Sequence, residues 1–311
     1  MAPESARSDK SATTYPAVSG SAVFDSAVLD PAAFDPALTD LELAAALVRR
    51  AGQLARRMRA DGLLAEQKTS VSDVVTAADR AAESFVVEQL LRCRPADGIL
   101  GEEGAAHAGT SGRTWVIDPV DGTYNFLSGS SYWCSALALR LDGVHPDGVH
   151  PDGHAGPGAA WDPNVLLGAI YQPEEDKLWL GGVDHPATLN GRLLRPPSNA
   201  SIGQLSAGTY IHPSWLVQPP AAMPWHAAAI LPATIRMLGS GSCDLGRVAD
   251  GQLGCWFQHS CPEWDWLPGK AIVQAAGGAT AVVRVNGLDW CIGGGPTAVR
   301  EVAAALRSAA L

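Results

Sequence analysis

Basic residues are scarce in this chain: 22 Lys and Arg stand against 32 Asp and Glu, leaving a net charge of −10. That balance disfavours a nucleic acid or an anionic membrane surface as partner, because both reward a basic face. It leaves room for a small anionic substrate, since bound cations reverse a local field. No CxxC pair occurs among the six cysteines, Cys93, Cys134, Cys243, Cys255, Cys261 and Cys291. They read as mostly buried, reduced thiols of a cytoplasmic protein. No apolar stretch is long enough to span a bilayer, and MAPESARSDKSATTYP at the start lacks the apolar centre of a signal peptide. What is present is 47% hydrophobic residues, enough for a substantial core in one or two domains, with 33 Gly and 22 Pro to make turns.

The most informative segment is WVIDPVDGTYNF, Trp115 to Phe126. An apolar run delivers Asp118 and Asp121 into a Gly-Thr turn, and Pro119 biases Asp118 towards an extended backbone. Two further acidic pieces bracket it, GEEG at 101–104 and EWDW at 263–266. Carboxylates aimed at one point repel each other unless a cation sits between them. Hard oxygen donors with no His/Cys cluster beside them suit Mg²⁺ or Mn²⁺ better than zinc. Gly122 and Thr123 supply close-approaching N–H donors, an anion site if a helix starts there. Cations beside an anion cradle read as metal-assisted phosphate chemistry. Glu102 and Glu103 diverge in a strand, so one of the two is expected to enter the site. Asp265 sits at an expected helix start, where N-capping is the competing role.

Along the chain, residues 1–38 are rich in Ala, Ser, Pro and Asp and read as a disordered tail. Thr39 and Glu42 have capping-box spacing, opening an amphipathic helix to about Arg59. Thr76 is expected to cap a second helix with Asp79 in its first turn, running to about Arg92. Strands are expected at Ile99–Leu100, Thr114–Ile117, Ser135–Leu141, Leu166–Tyr171 and Lys177–Leu180. A tandem DGVHP repeat, within Asp142 to His154, interrupts them as a loop insertion. Asn190-Gly191 marks a turn. A domain boundary is placed at 195/196, giving an N-terminal α+β domain over 39–195 and a C-terminal α/β domain over 196–311. The second half is expected to hold strands at Gln204–Tyr210, Leu253–Phe257 and Thr280–Val283. Helices are expected there from about Asp265 to Ala276 and Thr297 to Ser308. Mixed alternation without a steady βαβ rhythm suggests layered α+β packing.

DVVTAAD, GEEG, WVIDPVDGTYNF and WDWLPGKAIVQAAGG, in that order, resemble the motif series of the inositol monophosphatase family, over roughly residues 39–310. The resemblance implies a layered αβαβα fold shared with fructose-1,6-bisphosphatases, a homodimer, lithium sensitivity and hydrolysis of small phosphate monoesters. Two or three Mg²⁺ ions are implied, with Mn²⁺ an acceptable substitute. By motif position, Glu103, Asp118 and the Val120 carbonyl would hold one ion, and Asp118, Asp121 and Asp265 another. Gly122 and Thr123 would bind phosphate, Asp79 with Thr123 would orient water, and Glu103 would share in catalysis. Lys68 matches a lysine on the family's mobile loop.

Three features shape the substrate expectation. Gln258 occupies the position, seven before Asp265, where inositol and histidinol phosphatases commonly carry an acid. Glutamine hydrogen-bonds hydroxyls but cannot neutralise an ammonium, so a polyol phosphate, inositol 1-phosphate first, ranks above histidinol phosphate. Asn125 stands where relatives acting on nucleotide bisphosphates more often carry Glu, which lowers a 3′-phosphonucleotidase. Fructose 1,6-bisphosphate stays on the roster. Ser240 and Gly241, in GSGS, align with the loop that touches the substrate ring, a flexible Gly-Ser connection being the alternative. His259 reads as either a pocket residue or a structural one. A ligand-binding or regulatory protein with little turnover is the reading from another class.

Overall fold

A computed structural model of the protein describes residues 34–62, 65–67, 74–143 and 164–311. Lys68, the DGVHP repeat beyond Asp142-Gly143 and most of the expected tail lie outside the described residues. The elements are α1 (Asp40–Ala60), β1 (Ala65–Gln67), β2 (Val74–Thr76), α2 (Ala77–Cys93), β3 (Gly98–Gly101), β4 (Ala106–His107), β5 (Arg113–Asp121), α3 (Thr123–Leu127), β6 (Cys134–Leu141), β7 (Val165–Gln172), β8 (Lys177–Gly182), β9 (His185–Leu189) and β10 (Arg192–Leu193). There follow β11 (Ser206–Thr209), α4 (Pro219–Ala229), β12 (Thr234–Arg236), α5 (Gly241–Ala249), β13 (Cys255–His259), α6 (Glu263–Ala275), β14 (Ala279–Val285), β15 (Leu288–Gly294) and α7 (Pro296–Ser308).

Two sheets organise them. The larger runs β10-β9-β8-β7-β6-β5-β3-β4, antiparallel except where β3 pairs with β5. The smaller runs β12-β11-β13-β15-β14. Side chains alternate across β5 with the two-residue period of a strand. Trp115 and Ile117 face a core completed by Leu43 and Leu47 of α1 and Val86 and Leu90 of α2. Val116 faces the other way, into a core with Leu245 and Val248 of α5 and Leu267 and Ile272 of α6. Cys291 of β15 belongs to that same core, so α5 and α6 are sandwiched between the sheets. Beyond the smaller sheet, Ala298, Val302 and Leu306 of α7 cover Phe257 and Ile292. The layers therefore run α, β, α, β, α, as expected from the resemblance.

Local chemistry accounts for the helix starts. Thr39 and Glu42 form the expected capping box on α1, and Thr76 with Asp79 forms a second on α2. Residues 34–38, assigned to the tail on sequence, are instead packed: Phe34 meets Phe85 edge-on at 6.1 Å. Arg94 donates to the carbonyls of Pro36 and Leu38. The boundary at 195/196 falls between the last strand of the large sheet and the first of the small one. The middle core nonetheless draws on both halves. No helix among the described residues is long and apolar enough to cross a membrane.

Candidate metal centre and active site

A spacing of three would point Asp118 and Asp121 to opposite faces of a regular strand. The register resolves this: Asp118 pairs with Ala136 and Asp121 with Cys134, three residues on β5 against two on β6. That one-residue bulge, at Pro119-Val120, turns both carboxylates to one side. The Ser135 hydroxyl, donating to the Pro119 carbonyl at 2.6 Å, fastens it. Asp265 arrives from the middle layer as the third residue of α6, whose N-cap is Pro262. Trp266, the next residue, stacks on Trp256 with ring centroids 5.9 Å apart.

The outcome is a cluster in which Asp118, Asp121 and Asp265 each offer a ligand atom, all within 4.8 Å of one another. Burial drives the Asp118 carboxyl well above the usual range, with Glu102, Asp121 and Asp265 adding repulsion. Asp265 is raised too, by burial and then by Asp121 and Glu102. Asp121 is raised by burial but pulled back by donors. The Ser242 N–H donates to its Oδ2 at 2.6 Å and the Ser240 hydroxyl at 3.0 Å.

Two expectations change here. Glu102, not Glu103, is the glutamate within hydrogen-bonding reach of Asp118 and near Asp265. Glu103 bears instead on Asp79. Adjacent side chains diverge at a strand end, and Glu102, whose N–H pairs with the Ile117 carbonyl, is the one registered beside Asp118. Ser240 is the second correction: it is 2% exposed and its hydroxyl serves Asp121 and caps α5 through the Cys243 N–H. That hydroxyl supports a carboxylate, and Gly241 is the first residue of α5, not part of a flexible connection.

Asp79 and Thr123 do come together, the Thr123 hydroxyl lying 3.3 Å from Asp79 Oδ1 and 3.1 Å from the Val120 carbonyl. Asp79 Oδ2 accepts from the Thr76 N–H and hydroxyl. Burial lifts Asp79 to about 6, against the downward pull of Thr76. Gly122 has φ +92°, and a Cβ there would press on the Gly239 carbonyl at 3.0 Å. The turn thus needs glycine for both conformation and space. Asn125, read from sequence as a specificity marker, donates to the Tyr132 and Leu238 carbonyls at 2.8 and 2.7 Å. Its amide ties the Gly-Thr turn to the segment entering α5. Gln258 is half-buried on β13. His259 beside it is wedged between Trp215 and Trp290, with ring centroids at 5.1 and 5.0 Å, and burial lowers its pKa, which favours the structural reading.

Sequence reasoning missed Glu83, which lies one turn after Asp79 on α2 and accepts from the Glu103 and Ala105 N–H groups. Its spacing of four from Asp79 was the available signal. The Ser242 N–H on Asp121 had none, because a backbone donor leaves no mark in composition.

A layered αβαβα body whose central strand ends in converging carboxylates has the build of a metal-dependent phosphatase. The family model described as "Inositol monophosphatase family" matches residues 38–149 and 158–308. An inositol-1-monophosphatase of Rhizobium meliloti is 30% identical over 215 residues, 67% of this chain and 71% of that protein. A histidinol-phosphatase of Mycobacterium tuberculosis is 48% identical over 106 residues, 34% of this chain and 40% of the other. The extragenic suppressor protein suhB of Bartonella henselae shares the fold with a TM-score of 0.72 at 24% identity, over 85% of this chain and 97% of that one. The chain belongs to the inositol monophosphatase family, whose members are phosphoric monoester hydrolases.

Proposed function

We propose that the chain is a Mg²⁺-dependent phosphomonoesterase acting on a small polyol phosphate, with inositol 1-phosphate the leading substrate. The observation that carries this is the convergence of Asp118, Asp121 and Asp265 within 4.8 Å. The donors fit the cation. They are hard oxygens, and their pKa values are raised by burial and mutual repulsion, the conflict a divalent ion relieves. Glu102, Asp118 and the Val120 carbonyl would hold one ion; Asp118, Asp121 and Asp265 would hold a second. When bound, Mg²⁺ supplies charge for the phosphoryl oxygens and makes a water more acidic.

The remaining work falls to the chain. Asp79 and the Thr123 hydroxyl fix the orientation of the attacking water, the hydroxyl lying 3.3 Å from Asp79 Oδ1. The N–H groups of Gly122 and Thr123, at the start of α3, have no partner within that helix and hold phosphoryl oxygens. Gln258 offers both donor and acceptor to substrate hydroxyls, which supports a polyol over an amine. One observation favours a second reading: the 48% identity to a histidinol-phosphatase supports histidinol phosphate.

The test is phosphate release by the purified protein, with Mg²⁺ and with EDTA, on inositol 1-phosphate, histidinol phosphate, fructose 1,6-bisphosphate and adenosine 3′,5′-bisphosphate. Mg²⁺-dependent turnover highest on inositol 1-phosphate is expected. A kcat/KM far higher for histidinol phosphate establishes the second reading. No turnover on any of the four, with Mg²⁺ bound, favours a protein that binds without catalysing.

A further inference from the structure

The loop that presents Glu102 has to be held against the repulsion of its own acidic neighbours, and the structure shows what holds it. Every N–H from 101 to 105 has an acceptor. Gly101 donates to the Ala105 carbonyl, Glu102 to Ile117 and Gly104 to Gly101. The two others, Glu103 and Ala105, both donate to one buried side chain, Glu83: Oε2 accepts from Glu103 at 2.9 Å and Oε1 from Ala105 at 3.0 Å. Glu83 is 5% exposed. The fit is close enough that a Cβ on Gly101 would lie 2.2 Å from Glu83 Oε2 and would have to displace this carboxylate. Asp79 and Glu83 are one turn apart on α2, hence on the same face. One rigid helix thereby sets both the carboxylate beside Thr123 and the loop bearing Glu102.

We propose that Glu83 is a positioning residue of the metal centre, clamping the backbone of the 101–105 loop so that Glu102 is held beside Asp118. It touches neither substrate nor ion and acts through two backbone N–H groups. The proposal rests on the metal reading above. Partners that orient a ligand without touching the metal typically change affinity by 10–100-fold. Glutamine keeps the shape of Glu83 but replaces one acceptor oxygen with an NH₂ group that faces an N–H donor.

The experiment is Mn²⁺ titration calorimetry of full-length wild type and Glu83→Gln, with kcat measured across Mn²⁺ concentrations. The expected result is a Kd for Mn²⁺ raised by about 10–100-fold. kcat on inositol 1-phosphate should return to within a few-fold of wild type at saturating Mn²⁺. Leu43→Ala, in the core between α1 and the large sheet, is the stability control and should lower Tm with Kd unchanged. Glu83→Gln with lowered Tm and unchanged Kd overturns the proposal, since a merely structural role predicts that pattern. Wild type that binds no Mn²⁺ overturns the metal reading instead. Should Glu83→Gln fail to fold, Glu83→Asp, which withdraws the carboxylate by one methylene, replaces it under the same two criteria.

Discussion

At the residue scale, the acidic cluster trades stability for a site. Buried carboxylates that repel each other destabilise the cation-free protein. Asp118→Asn is therefore expected to lower kcat/KM by at least about 10²–10³-fold, the range seen when one preorganised electrostatic group is lost. The same substitution should raise the Tm measured in EDTA by roughly 1–2 °C for each kcal/mol of repulsion relieved. A calorimetric scan in EDTA and a phosphate-release assay in Mg²⁺ check both. A lower Tm would show that Asp118 is stabilised by its neighbours instead. Asp244 provides a pH prediction. It is 2% exposed, accepts from the Tyr132 hydroxyl at 2.6 Å and is raised by burial from 3.8 to about 7. Between those values the folded state holds a proton that the unfolded state has released. The stability this group contributes is complete below about pH 4 and is lost as pH rises towards 7. Urea unfolding in EDTA from pH 4.5 to 7 should therefore show a shallower decline for Asp244→Asn than for wild type. Which of two adjacent glutamates enters the site was likewise a residue-scale question that spacing left open. Glu102 and Glu103 are chemically identical, and only the register of the strand end against β5 separates them.

At the scale of elements, the helix starts were legible and the connections between halves were not. Thr39 with Glu42 and Thr76 with Asp79 are local patterns, and both form as read. GSGS reads equally as a loop touching the substrate ring and as a flexible connection, because small residues suit both. The outcome fell to Asp121, which is reached only after folding and rewards Ser240 and the Ser242 N–H with a buried acceptor. Two cap variants separate these roles. Thr39→Ala and Ser240→Ala should each lower stability by about 0.5–2 kcal/mol, the usual loss for an N-cap. Only Ser240→Ala should also weaken Mn²⁺ binding, because Thr39 caps the opposite end of α1 from Ala55, which packs near Val120, while Ser240 donates to Asp121 itself. Equal Mn²⁺ affinity in the two variants would remove Ser240 from the metal centre. α4 escaped sequence reading because Pro219, Pro220 and Pro224 argue against a helix. The first two occupy its opening turn, where no N–H partner is lost.

On the scale of the whole molecule, the acidic cluster draws on segments from both sides of the 195/196 boundary. Asp118 and Asp121 end a strand of the large sheet, while Asp265 begins a helix between the sheets. Asp121 is held by α5, and Asn125 bridges to Leu238. Cation binding should therefore stabilise the entire fold. At a Mg²⁺ concentration 100 times Kd the expected gain is about 2.7 kcal/mol, seen as a higher Tm in Mg²⁺ than in EDTA. In Asp118→Asn the Mg²⁺-dependent increment should shrink. A Tm indifferent to Mg²⁺ in wild type would mean that the carboxylates hold no ion in the folded state.

The sequence by itself determined the family, the chemistry of the donors and most of the secondary structure. Those follow from local patterns: capping boxes, alternating apolar residues and a DPxDGT turn whose proline and glycine restrict the backbone. Tertiary structure alone decided the aim of each group. The bulge that brings Asp118 and Asp121 to one face depends on pairing with β6. The choice of Glu102 over Glu103 depends on β5, and the recruitment of Glu83 and Ser242 depends on elements up to 121 residues away in the chain. Direction in space is set by pairing and packing between distant segments, and no pattern confined to neighbouring residues encodes it.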